Sequence, residues 1–290
     1  MFNQLDVIKK AAALIEEKKY IKAKDILNNF IKNNKTLRID VKFYYTLYLV
    51  SDRLRESQNA KKYLEKCLKI NENNHIVLNN LGNIFYREGN ITKAEKFYLK
   101  SYNLKKDYLI VILNLAILYQ NLGSFEKSKK YYIQAIELSP KELSIYYNLS
   151  RIDRSYIDDD KISFIRNILD KEKIRDLNAS YGFFLLAEYQ KKKKNFSEEI
   201  KLLNKAHEFL FNSDKKNNLK TLDYWKKIIP KKYNKFTFEN IDDQTKLNLF
   251  EPIFIIGLPR SGSTVIEVLL SSGKSKIPSL GESSIFNGII

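Results

Sequence analysis

Residues 78–101, LNNLGNIFYREGNITKAEKFYLKS, and residues 112–135, ILNLAILYQNLGSFEKSKKYYIQA, are two versions of one pattern set thirty-four residues apart. Leu81 recurs as Leu115 and Leu149, and Gly82 becomes Ala116 and Ser150. Phe85 becomes Tyr119, Gly89 becomes Gly123, Ala94 becomes Ser128, Tyr98 becomes Tyr132 and Ser101 becomes Ala135, with Pro140 closing the unit. One interval earlier the same places hold Leu47, Ala60, Leu64 and Cys67. Self-similarity at this period marks stacked supersecondary units, because one short unit cannot bury its apolar face alone. Apolar residues recur at helical spacing, and a glycine falls where a first helix must end and turn back.

The pattern resembles the tetratricopeptide repeat, two antiparallel helices whose small residues allow close approach and whose large ones fill the space between hairpins. A weaker unit centres on Tyr20, Ala23, Leu27 and Phe30, with a three-residue insertion before the next. A late unit contributes Ala187, Phe196, Leu203 and Ala206. Residues 141–180 keep the first helix of a repeat and then leave the template. Five to six repeats are expected, the fifth degenerate. Such a stack leaves a concave groove lined by first helices, a place for a peptide or a partner protein. Asn79, Asn80, Asn83, Asn114 and Asn148 fall on those helices and are read as exposed, which would let them hydrogen-bond an extended backbone. Phe85, Tyr98, Tyr119, Tyr132 and Tyr146 fall on core positions.

The 51 Lys and Arg against 34 Asp and Glu give a net charge of +17. Lysine is spread along the whole chain without a recognition motif, so no nucleic-acid surface is expected. The single cysteine, Cys67, fits a reducing compartment and serves packing. The opening residues mix charges into every turn, and no window is apolar for the length of a membrane span. A cytoplasmic chain is expected. His75 and His207 lack ligand-spaced neighbours, so no metal site is expected. Asp158, Asp159 and Asp160 lack the glycine and closing glutamate of a calcium loop and are read as a solvated turn.

After Phe211 the helical pattern gives way to a connector broken at Pro230. The chain is therefore divided into a solenoid at 1–210, a linker with short helices at 211–250, and a different unit at 251–290. That unit opens with Ile253-Phe254-Ile255-Ile256, apolar on both faces and short, the pattern of a central strand in a parallel sheet. It runs into Gly257-Leu258-Pro259-Arg260-Ser261-Gly262-Ser263-Thr264 and then VIEVLL, a helix. Backbone N–H groups at such a junction face the positive end of a helix dipole and suit a phosphate or sulfate dianion. The glycine spacing is that of a P-loop, but Ser263 stands where a nucleotide-hydrolysing loop needs lysine, which disfavours an ATPase or kinase. Arg260 supplies the positive charge from inside the loop, with a planar fork able to hold two oxygens.

PRSGST, a following hydrophobic helix with Glu267, and then Gly281-Glu282 resemble the start of a sulfotransferase domain that uses 3′-phosphoadenylyl sulfate (PAPS). Repeats, a linker and this loop together resemble the bacterial tetratricopeptide-repeat sulfotransferases, whose loop is akin to that of protein-tyrosine sulfotransferases. The organisation matches over nearly the whole chain, the specific motif over about residues 252–282, and Ser263 replaces a commoner threonine. The resemblance implies a mostly α chain: a solenoid followed by the first βα unit of a P-loop-like α/β domain. It implies that Arg260, Ser261, Gly262, Ser263 and Thr264 bind the donor's 5′-phosphosulfate. Arg260 would stabilise charge on the bridging oxygen, and Glu282 would be the base for an acceptor hydroxyl, on a protein tyrosine or a glycan. The residues that hold the donor's 3′-phosphate in the family come later in the domain and have no match here. The expectation is a truncated or split enzyme, weak alone. The alternative is a repeat scaffold with a vestigial nucleotide loop.

Overall fold

In each hairpin a first helix is turned back by one residue in the left-handed region, and a second helix starts two positions later. The computed structural model describes residues 3–34, 36–171 and 174–228, and all of its regular elements there are helical. Five hairpins pair α1 (Gln4–Glu16) with α2 (Tyr20–Asn33), α3 (Val41–Arg53) with α4 (Ser57–Ile70), α5 (His75–Arg87) with α6 (Ile91–Leu104), α7 (Leu109–Asn121) with α8 (Phe125–Leu138), and α11 (Asp176–Lys192) with α12 (Phe196–Ser213). Between the fourth and the last lie the eight-residue α9 (Leu143–Ser150) and α10 (Asp159–Lys171). A short α13 (Lys215–Asp223) and a π-helical turn at Tyr224–Ile228 follow. Residues 1–225 form one compact unit.

The turn residue is glycine in two hairpins, Gly89 at φ 74° and Gly123 at φ 70°. In the others it is Lys18, Arg55 or Lys194, at φ 58–59°. A side chain there costs about 1–2 kcal/mol. Asparagine and aspartate start several helices: Asn3, Asp40, Asn74, Asn90 and Asn195 each accept a hydrogen bond from a backbone N–H three residues on. Their short side chains satisfy donors that the helix leaves orphaned.

The repeat positions form the core. Leu47, Leu81, Leu115 and Leu149 are buried, as are the small residues Ala23, Ala60, Ala94 and Ser128 where helices approach. Phe85, Tyr98, Tyr119, Tyr132 and Tyr146 are all buried, as the sequence pattern requires. Gly82 is held small by its neighbour: a Cβ there would stand 2.5 Å from the Tyr98 ring. Cys67 is buried with its thiol 3.6 Å from the Val41 carbonyl, and burial pushes its pKa up to about 12.

The degenerate stretch keeps the stack continuous through α9, which packs against α8 and α11. Asn178 of α11 accepts from the Leu143 N–H at 2.7 Å and donates to the Lys141 carbonyl at 2.8 Å, tying α9 into register. The acidic run is more than a solvated turn. Asp158 accepts from the Lys161 N–H at 2.9 Å at the start of α10, and Asp159 and Asp160 fill the first turn. Negative charge there opposes the positive end of the helix dipole.

Candidate functional site

Arg260, Ser261, Gly262, Ser263, Thr264 and Glu282, together with the strand at 253–256, lie outside the described residues. Within them, the concave side of the solenoid provides a second candidate, a cleft of about 380 Å³ lined by Tyr48, Asp52, Asn83, Tyr86, Arg87, Tyr98, Asn114 and Ile117. That volume is within the range of small-ligand sites. Its walls come from three successive first helices, α3, α5 and α7, with Tyr98 of α6 between them. Two of these first helices are nearly without charge, α7 containing no charged residue and α5 only Arg87, while α3 carries Lys42, Asp52 and Arg53.

Asn114 organises the floor. Its Nδ2 donates to Oδ1 of Asn79 at 2.8 Å and to Oδ1 of Asn83 at 3.0 Å, and the Tyr98 hydroxyl donates to the same Asn83 oxygen at 2.8 Å. Burial pushes the Tyr98 pKa up, so the hydroxyl remains a donor at neutral pH. Asn79 is buried, at 1% exposure, rather than presented to the groove as the sequence reading held. Its amide is spent on joining α5 to α7. Asn80 is half-buried and donates to the Tyr45 hydroxyl at 3.0 Å, joining α5 to α3. Asn148 on α9 does not join this cluster. Asn83 and Asn114 are the members of the row that line the cleft. With Asn83 Oδ1 and Asn114 Nδ2 engaged, Asn83 offers its NH₂ and Asn114 its carbonyl, one donor beside one acceptor.

The rim carries a charge pair that sequence reasoning missed. Arg87 meets Asp52 at 2.5 Å, with side chains 55% and 26% exposed. Tyr48 has its pKa raised by burial, with the Asp52 charge adding to it. The signal for such partners was available: Asp52 and Arg87, Tyr45 and Asn80, Asn79 and Asn114, and Tyr86 and Asn121 are each thirty-five residues apart and hydrogen-bonded. His75 meets the edge of Tyr108 and His207 that of Phe184. Among the described residues no group of three potential metal ligands gathers, and no helix is long and apolar enough to cross a membrane.

The fold and the repeat register define a tetratricopeptide-repeat solenoid. The model of that repeat matches residues 41–74, 76–108 and 111–142. The sulfotransferase family model matches residues 252–289, a span that contains the Gly257–Thr264 loop and Glu282. The chain thus carries tetratricopeptide repeats followed by a sulfotransferase-family segment. Among solved structures, that of Pseudomonas aeruginosa pilF is 16% identical, covers 72% of this chain and 97% of its own, and superimposes with a TM-score of 0.52. This likeness shows the fold of the array. The MamA 41-end structure from Desulfovibrio magneticus RS-1 is 13% identical, covering 74% of this chain and 99% of its own with a TM-score of 0.46. Among curated proteins none matches. The repeats imply protein partners, and the matched segment implies a PAPS donor.

Proposed function

We propose that this protein is a PAPS-dependent sulfotransferase whose repeats recruit the acceptor or a partner protein, acting in the cytoplasm. The observation that supports this most directly is the coincidence of the sulfotransferase match at 252–289 with the phosphate-cradling loop that the residues themselves describe. In this reading residues 251–290 are the opening of the transferase domain, 211–250 the linker and 1–210 the repeat array. Arg260, Ser261, Gly262, Ser263 and Thr264 hold the 5′-phosphosulfate. The acceptor hydroxyl oxygen bonds to sulfur as the bridging S–O bond breaks, and adenosine 3′,5′-bisphosphate leaves with that oxygen. Glu282 takes the hydroxyl proton, and Arg260 with the loop amides stabilises charge on the departing oxygen. A protein tyrosine or a glycan hydroxyl is the acceptor.

The groove takes an extended, uncharged peptide segment of the partner. The Asn83 donor and the Asn114 acceptor complement the carbonyl and N–H of a peptide backbone, and the rim charges Arg87 and Asp52 already pair with each other, which leaves a charged segment little to pair with.

Calorimetric titration with adenosine 3′,5′-bisphosphate and with PAPS tests the donor site. Binding that disappears in Arg260→Ala supports the transferase reading. If neither nucleotide binds while circular dichroism shows the helices intact, the chain is instead a protein-binding scaffold with a vestigial loop.

A further inference from the structure

The last hairpin presents, on α12, the face onto which another hairpin would stack. Tyr98 stands to Gly89 as Tyr132 stands to Gly123 and as Leu203 stands to Lys194. The two tyrosines are 3% and 0% exposed, whereas Leu203 is only partly buried. Along the same helix Phe196 and Ile200 are 58% and 59% exposed and Leu210 is 38% exposed. A solenoid end of this kind requires a polar cap or a partner.

The spacing on this face is more specific than general stickiness. Phe196, Ile200, Leu203, His207 and Leu210 follow one another at intervals of four, three, four and three, the a/d seam of a coiled coil. Along one edge of the seam Leu202 and Ala206 turn into the hairpin and are buried. Beside it lie Ser197, Glu199, Asn204, Ala206 and Phe211, so two such helices can meet without opposing rows of like charge. The charged residues further out are mixed in sign, Glu198 and Glu208 with Lys201 and Lys205. An anionic bilayer would call for a basic rim, and this rim is balanced.

We propose that α12 is the interface between two copies of this chain, paired antiparallel about a twofold axis. In that arrangement Phe196 meets the partner's His207 and Ile200 meets the partner's Leu203, and each pair occurs twice. The seam spans about 21 Å of helix from Phe196 to Leu210, fourteen rises of about 1.5 Å. A dimer formed this way leaves both grooves open, since the groove is built from α3, α5, α6 and α7.

Sedimentation equilibrium on the full chain tests the proposal. The expected mass is twice 34.2 kDa, and Ile200→Glu, which would bury an unpaired charge twice, is expected to weaken dimerisation on the order of a hundredfold. Lys201→Glu, on the outer face, is the control and should leave the dimer intact. An unmodified chain that stays monomeric up to its solubility limit overturns the proposal, whether later residues of the same chain or nothing covers the seam. So does a dimer indifferent to Ile200→Glu in a variant of unchanged helicity. Should Ile200→Glu misfold, a short bis-maleimide on Asn204→Cys decides. A covalent dimer supports the seam and its absence refutes it, because Cys67 is buried and does not compete.

Discussion

Asn79 and Asn114, thirty-five residues apart in the chain, are joined side chain to side chain across neighbouring repeats at 2.8 Å. The bond lies beneath the groove and fixes the spacing of α5 and α7, so the shape of the cleft depends in part on the buried Asn79, which does not line it. Asn79 Nδ2 is itself buried without a partner among the described residues. Its oxygen is therefore the atom of that amide that the fold satisfies.

Asn114→Ala removes the donor to both Asn79 and Asn83. The loss should cost about 1–3 kcal/mol, the penalty for a buried acceptor left unpaired. A lower urea midpoint with an unchanged slope would show it. Asn148→Ala, outside the cluster, should cost less than half as much.

Arg55→Gly and Lys194→Gly relieve a left-handed backbone at φ 58° and φ 59°. Each should raise stability by about 0.5–1 kcal/mol after the entropy of the added glycine is subtracted. Gly89→Ala should lower it by about 1 kcal/mol from the backbone alone, since a Cβ there meets nothing within 4 Å. Thermal midpoints moving in these opposite directions would confirm that the turn is set by φ and not by contacts.

Asp153 is held down to about 2 by the Lys129 hydrogen bond first and the Ser155 hydroxyl second. A carboxylate with a depressed folded-state pKa stabilises the fold above its unfolded value of about 3.9, and that contribution is lost as pH falls through the folded value. Between about pH 4 and about pH 2 the wild type should therefore lose more stability than Asp153→Asn. The effect should shrink in high salt because the Lys129 side chain is 37% exposed and open to screening. Urea titrations across this window, in low and high salt, measure it.

Cys67 should resist alkylation in the native state, because its thiol pKa is near 12 and it is wholly buried. Iodoacetamide at pH 8 should label it only as fast as the second hairpin opens, and fully in denaturant. Mass spectrometry of timed samples gives that opening rate. Rapid native labelling would contradict the packing described here.

The repeat period was legible because the core obeys it: Leu81, Leu115 and Leu149 are equivalent places in successive hairpins, and all are buried. Contacts were less legible, because touching residues are offset from equivalent ones. Asn79 meets Asn114 and not the residue thirty-four along, so a reading at the repeat interval placed it on the surface. The turns were visible where they held Gly89 and Gly123 and hidden where they held Lys18, Arg55 and Lys194, since lysine and arginine carry no turn preference of their own. At Arg260–Thr264 spacing and residue type alone suggest a phosphate cradle, and that loop lies outside the described residues. The groove's charge pair needed a different interval: Asp52 and Arg87 become neighbours when two hairpins stack, at an offset of thirty-five and not at the repeat's thirty-four.

The placement of the two glycine turns also orders how the array comes apart. Unfolding of a linear repeat stack proceeds between nearest neighbours, each hairpin weighted by its own stability. The central hairpins α5/α6 and α7/α8 turn on glycine without strain, while the hairpins at either end each carry a strained turn. Hydrogen exchange should therefore be slowest in the middle and quicken outward in both directions. The walls contributed by α5 and α7 would be the last part of the groove to melt.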